Sequence, residues 1–126
     1  MFPSFKEEAR ENELTPEEQS AVSELPAGNA LLIVKRGDGG ARFLIDQDVT
    51  TVGRHPESDI FLDDITVSRH HAKFLRSEGQ IFLEDLGSLN GTYINRTLVD
   101  EKALLRQGDE IQIGKYRATF SMGEQG

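Results

Sequence analysis

The chain has 126 residues, 37% hydrophobic and 29% charged, which is the length of a single domain and excludes a second full one. Fourteen Lys and Arg stand against 22 Asp and Glu, and the net charge of -8 disfavours a nucleic-acid backbone, whose binding depends on neutralising Lys and Arg. With no Cys there is no disulfide, thiolate zinc site or Cys nucleophile, and the longest apolar run, residues 30–34, is far short of the ~18–20 residues of a membrane span.

Residues 1–28 carry two bases against seven acids, a net -5 that leaves only -3 for the rest of the chain. This acidic segment has few large apolar residues, so it is expected to be mostly disordered, and it lacks the basic start and apolar stretch of a signal peptide. A cytoplasmic protein is expected. One piece of the tail carries helix signals: Thr15 as N-cap, Pro16 at the first helical position and Glu18 three residues after the cap, with Pro26 as a stop, which predicts a short helix over residues 16–24.

From residue 29 the pattern changes to short apolar or alternating runs divided by turn residues. Strands are predicted over residues 30–35 and 41–46, joined as a hairpin by Gly37-Asp38-Gly39-Gly40, and then over 50–53, 60–62, 72–76, 80–85, 92–94, 110–114 and 115–121. Some ten short strands with no helical stretch after residue 28 indicate an all-β, antiparallel β-sandwich over residues 29–122, followed by a short tail at 123–126.

Loops at one end of a sandwich are its natural binding surface. Three long connections stand out: residues 53–59, 63–71 and 86–92. Together they supply the guanidiniums of Arg54 and Arg69, the Ser68 hydroxyl, the Asn90 amide and glycine-flexible backbone at Gly87 and Gly91. Arg offers paired planar donors that match a phosphate, and Ser, Asn and backbone N–H groups complete the shell of a tetrahedral anion. This is the inventory of an oxyanion receptor, and a phosphorylated side chain, with its charge of about -1.5 to -2, rewards it more than a carboxylate.

Gly53-Arg54, Ser68-Arg69-His70-His71, Asn90-Gly91-Thr92 and Asn95 resemble the spaced motif of forkhead-associated (FHA) domains, and the resemblance covers residue 30 to about 121. It implies an FHA-like sandwich of about eleven strands that binds phosphothreonine peptides. The stretches at residues 25–36 and 53–64 further resemble an actinobacterial subgroup, the regulators of 2-oxoglutarate and glutamate metabolism known as oxoglutarate dehydrogenase inhibitor and glycogen accumulation regulator.

The resemblance implies that Arg54 and Ser68 contact phosphate, that Arg69 contacts phosphate or peptide, and that Asn90 holds the peptide backbone, with Ser88 and Leu89 counted among the peptide-binding residues. Gly53, His71, Gly91, Thr92 and Asn95 become structural parts of the motif, His71 as a buried brace of the loops. Implied partners are phosphothreonine-containing proteins, Ser/Thr kinases and 2-oxoglutarate or glutamate enzymes, with no cofactor and no metal. In the resembled subgroup a phosphorylated threonine of the N-terminal tail folds back onto the domain. Here the usual Glu-Thr-Thr-Ser-Val-Phe segment is missing and Thr15 is the only threonine of the tail, so Thr15 is the candidate phosphosite for an intramolecular ligand, against its role as a helix cap.

Each residue also has a plainer reading. Arg54 pairs with Asp59 on the surface, Ser68 caps a turn, Asn90-Gly91 forms a hairpin turn, His71 is a satisfied core histidine and His70 lies on the loop rim. A zinc site from His55, His70, His71, Asp63 and Asp64 has no ligand spacing of known type, and Gly37–Gly40 lacks the Gly-Lys-Ser ending of a phosphate-binding loop. Two rival functions remain at this point: a phosphate-independent interaction module, and a small hydrolase using Ser68 and His71, for which no orienting carboxylate is spelled out.

Overall fold

In the computed structural model, which describes residues 14–36 and 39–123, the first element described is helix α1, Pro16–Ser23. The capping signals act as read: the Glu18 backbone N–H donates to the Thr15 hydroxyl (3.1 Å) and the Thr15 N–H donates to the Glu18 carboxylate (2.9 Å). The helix stops one residue short of the expected end, with Glu24 as its C-cap. Leu14, Ala21 and Val22 pack against buried Leu25, Leu31 and Ile33, so this part of the tail is docked on the domain. The remainder of the tail, residues 1–13, lies outside the described residues, as do the tip of the predicted Gly37–Gly40 turn at 37–38 and residues 124–126.

Eleven strands follow among the described residues: β1 (Ala30–Arg36), β2 (Gly39–Ile45), β3 (Val49–Gly53), β4 (Ile60–Phe61), β5 (Ala72–Ser77), β6 (Gln80–Asp85), β7 (Thr92–Ile94), β8 (Thr97–Leu98), β9 (Lys102–Leu104), β10 (Glu110–Ile113) and β11 (Tyr116–Met122). They form a six-stranded sheet in the order β2-β1-β11-β10-β7-β8 and a five-stranded sheet in the order β4-β3-β5-β6-β9. All nine expected strands are present. Strands β8 and β9 were not expected: at two and three residues they are too short to show alternation, and they form because β7 and β6 offer open edges. One departure from a purely antiparallel sandwich is the parallel pair β3–β4, in which Val52 faces Ile60.

The core lies between the sheets. Leu32, Val34, Phe74, Ile81, Leu83, Ile111 and Phe120 are each at most 1% exposed. The continuous apolar run of β1 is explained by burial on both faces: Ala30, Leu32 and Val34 enter this core, while Leu31 and Ile33 point outward beneath α1. Among the described residues no helix is long and apolar enough to cross a membrane.

Candidate functional site

The β3–β4, β4–β5 and β6–β7 connections are laced together at one end of the sandwich. Backbone N–H groups of Arg54 and His55 donate to the carbonyls of Ser68 (3.0 Å) and Arg69 (3.1 Å), which extends the sheet into the first two loops. Gly53 makes this approach feasible: a Cβ there would stand 2.0 Å from the Arg69 carbonyl oxygen, inside any permitted contact. The third loop is attached through the Leu89 N–H, which donates to the Ser68 hydroxyl oxygen (3.0 Å), and the Asn90 side-chain amide, which donates to the Thr66 carbonyl (2.9 Å).

His71 is the brace between them. It is fully buried, its Nδ1 accepts from the Ser68 backbone N–H (3.0 Å), and its Nε2 lies 2.9 Å from the Gly91 carbonyl. An acceptor at Nδ1 and a donor at Nε2 define one neutral tautomer. Burial pushes its pKa below 6.5 against opposing contributions from the Gly91 carbonyl and Asp85, which keeps that tautomer. The same contacts remove the hydrolase arrangement, because the His71 ring is bonded to the Ser68 main chain and not to its hydroxyl. They also remove His71 from a metal set, since both ring nitrogens are in use.

What the loops hold out is cationic and polar. Arg54 is anchored through Nε, which donates to the Val67 carbonyl (3.1 Å), so its two terminal nitrogens have no protein partner among the described residues. The surface pair of Arg54 with Asp59 is not formed: the Asp59 carboxylate instead accepts from the Thr51 N–H (2.9 Å) and hydroxyl (3.1 Å). Arg69 is exposed without an ion-pair partner in the described structure. The Ser68 oxygen is fixed by Leu89 while its own proton remains available to an acceptor. His70, on the rim as expected, stacks on His55 with ring centroids 5.3 Å apart.

Other expected site residues face inward or elsewhere. The Ser88 hydroxyl donates to Asp85 (2.6 Å), which also accepts from the Thr92 hydroxyl (2.7 Å) and the Gly87 and Ser88 N–H groups, so this carboxylate organises the β6–β7 loop. Its burial raises the pKa, but the donated hydrogen bonds from Ser88, Thr92 and Gly87 outweigh that and hold it lowered. Gly91, at φ +82, turns the loop into β7. Asn95 stands apart at the β7–β8 turn, bonded to Asp109 (2.9 Å) and to the Glu110 N–H (3.0 Å).

A fourth loop was not singled out in the sequence. At the β10–β11 turn the Lys115 N–H donates to the Thr66 hydroxyl (2.9 Å) and its ammonium pairs with Asp64 (3.0 Å). Hydrogen bonds from the Thr66 hydroxyl and N–H, with Lys115, lower the Asp64 pKa to about 2. No pattern within one loop could announce this pairing, since its partners are 49 residues apart. Among the described residues no group of three or more His, Asp or Glu is placed to hold a metal ion.

The sequence pattern of the FHA domain family matches residues 50–114, from β3 to the end of β10, and so includes the three loops that carry Arg54, Ser68 and Asn90. The chain belongs to the FHA domain family. This FHA domain is 60% identical over 105 residues to the oxoglutarate dehydrogenase inhibitor of Corynebacterium efficiens, covering 82% of the chain and 73% of that relative. It is 59% identical over 105 residues to the glycogen accumulation regulator GarA of Mycolicibacterium smegmatis, covering 82% of the chain and 66% of that relative. An FHA domain solved in a study of phosphothreonine-dependent FHA interactions matches it with a TM-score of 0.71 at 27% identity, over 76% of this chain and 98% of the other.

Proposed function

We propose that this FHA domain is a non-catalytic regulator that captures phosphothreonine segments at the loop end of the sandwich and controls enzymes of 2-oxoglutarate and glutamate metabolism in the cytoplasm, a reading supported by its similarity to relatives named oxoglutarate dehydrogenase inhibitor and glycogen accumulation regulator GarA. The observation that carries the reading is a guanidinium whose Nε is tied down while its outer nitrogens stay open, beside a hydroxyl oriented by a neighbouring loop. Such preset donors bind a dianion without reorganising. In this reading Arg54 and Ser68 take the phosphate, Arg69 adds charge at its edge, and Leu89 and Asn90 position the peptide. Ser88, Gly53, His71, Gly91, Thr92 and Asn95 hold the scaffold. Binding partners are proteins modified by Ser/Thr kinases, and the chain's own segment becomes one only if Thr15 is phosphorylated, which would have to compete with its capping contacts.

Fluorescence anisotropy with matched phosphothreonine, phosphoserine and unmodified peptides tests this directly. Only the first should bind tightly. Removing the charge-assisted contacts of Arg54 by Arg54→Ala should cost about 2 kcal/mol or more, roughly 30-fold in Kd, in a domain that remains folded. Equal binding of all three peptides, or an unaffected Arg54→Ala variant, would replace this reading with a phosphate-independent module.

A further inference from the structure

A second cationic feature lies on the open half of the six-stranded sheet. Strand pairing sets Arg117 of β11 beside Gln112 of β10 and Gln112 beside Tyr93 of β7, a row of three side chains across the outer face. With Arg96 and Lys115 they line a groove of about 650 Å³ whose head is formed by Thr66 and Asn90 of the binding loops. Lys115 is already paired with Asp64, but Arg96 and Arg117 are both exposed and have no ion-pair or hydrogen-bond partner among the described residues. The other half of the same face is closed by α1 over Leu31 and Ile33. The uncovered portion therefore carries two guanidiniums without an ion-pair partner, with Glu110 of β10 on the same face near Arg96, in a chain with an excess of acid.

We propose that this groove docks an acidic polypeptide segment of a partner protein. Charge complementarity selects an acidic ligand, and shape selects a chain. A small dicarboxylate needs a site that buries most of its surface, whereas both arginines here stand in the open. A nucleic acid needs a continuous basic surface, which a chain of net charge -8 does not provide. Along β7 the groove runs from the Asn90 loop toward Arg96, roughly 10 Å for the three strand residues at ~3.3 Å per residue, the span of about three extended residues. Tyr93 and Gln112 supply neutral donors between the charged ends. Because the head of the groove shares Thr66 and Asn90 with the loop end, a partner bound at the loops has a continuous path into it, but the groove needs no phosphate.

The test is a ¹⁵N NMR titration of the full chain with an unphosphorylated Glu-rich hexapeptide and its Gln counterpart. The Glu peptide should shift the amides of Tyr93, Gln112, Lys115 and Arg117, the Gln peptide should not, and the shifts should shrink as salt rises. The double substitution Arg96→Gln, Arg117→Gln should weaken binding at least tenfold with the remaining spectrum unchanged. Arg54→Ala should leave this titration intact, so failure of the groove and failure of the phosphothreonine site read out separately. No shifts at millimolar peptide, equal shifts with the Gln peptide, or shifts on another face would overturn the proposal. So would changes at these residues on diluting the protein alone, which would mark a second copy as the occupant. Changes on replacing Glu7, Glu8, Glu11 and Glu13 by Gln, which would mark the chain's own acidic segment, would overturn it too.

Discussion

The hydrogen bonds of His71 make a quantitative prediction. Replacing it with Leu keeps an apolar side chain of comparable size in a site that is 0% exposed, but leaves the Ser68 N–H without its acceptor and the Gly91 carbonyl without its donor. An unpartnered buried polar group costs roughly 1–3 kcal/mol, so the two together should remove about 2–6 kcal/mol of stability, seen in urea unfolding as a lower midpoint at unchanged m. The pH dependence supplies an independent sign. Burial lowers the folded pKa of His71 below its unfolded 6.5, so the unfolded chain binds the extra proton more readily. The contribution of the neutral ring is complete above pH 6.5 and is lost as pH falls from there toward the folded pKa. His71→Leu should flatten that part of the stability profile, while the loss belonging to Asp64, whose pKa is lowered to about 2, remains at pH below 4. A variant within about 0.5 kcal/mol of the parent, or one that keeps the parental slope below pH 6.5, would refute the brace.

Gly53→Ala should be severe, because its Cβ meets the Arg69 carbonyl oxygen at 2.0 Å and that carbonyl is held by the His55 N–H. A cost of ~3 kcal/mol, or roughly 12–24 °C in Tm, should appear in a thermal melt together with lost phosphopeptide binding, and an unchanged Tm would contradict the close approach. Thr15→Ala removes one side of the capping box and should destabilise α1 by about 1 kcal/mol. Amide hydrogen exchange should then quicken about fivefold across residues 16–23 without a change in global stability; uniform protection in both proteins would show that packing on Leu31 and Ile33 alone holds the helix.

How far the sequence could be read depended on the range of the interactions involved. The capping residues at Thr15 and Glu18, and the two-residue period of strands such as β6, are local signals, and both elements formed where they were expected. The motif residues Arg54, Ser68 and Asn90 were visible as chemistry, but their roles in the structure depend on contacts with residues 13 to 24 positions away. Sequence alone therefore did not separate Ser88, whose hydroxyl turns in to Asp85, from Ser68, whose hydroxyl stays open on one side. Nor did it join Asp64 and Thr66 to Lys115, a contact made only when the two sheets close on one another. Strands β8 and β9 escaped for the same reason, since their existence is a property of the edges they complete.

The net charge of -8 is compatible with anion recognition once distance is considered. At physiological ionic strength interactions between exposed charges fade over ~8 Å, so a bound anion responds to the side chains of one loop cluster and hardly to the sum over the chain. Of the total, -5 sits in residues 1–28. Near the loops three acids are committed elsewhere: Asp59 to Thr51, Asp64 to Thr66 and Lys115, and Asp85 to the β6–β7 backbone, while Glu57 and Asp63 are exposed and form no ion pair with either guanidinium among the described residues. The scaffold thus spends Asp59, Asp64 and Asp85 on shaping the loops and leaves Arg54 and Arg69 without an ion pair. The remaining acidity opposes an extended polyanion, whose phosphates would run beyond the screened zone, and so favours a single phosphorylated side chain over a nucleic acid.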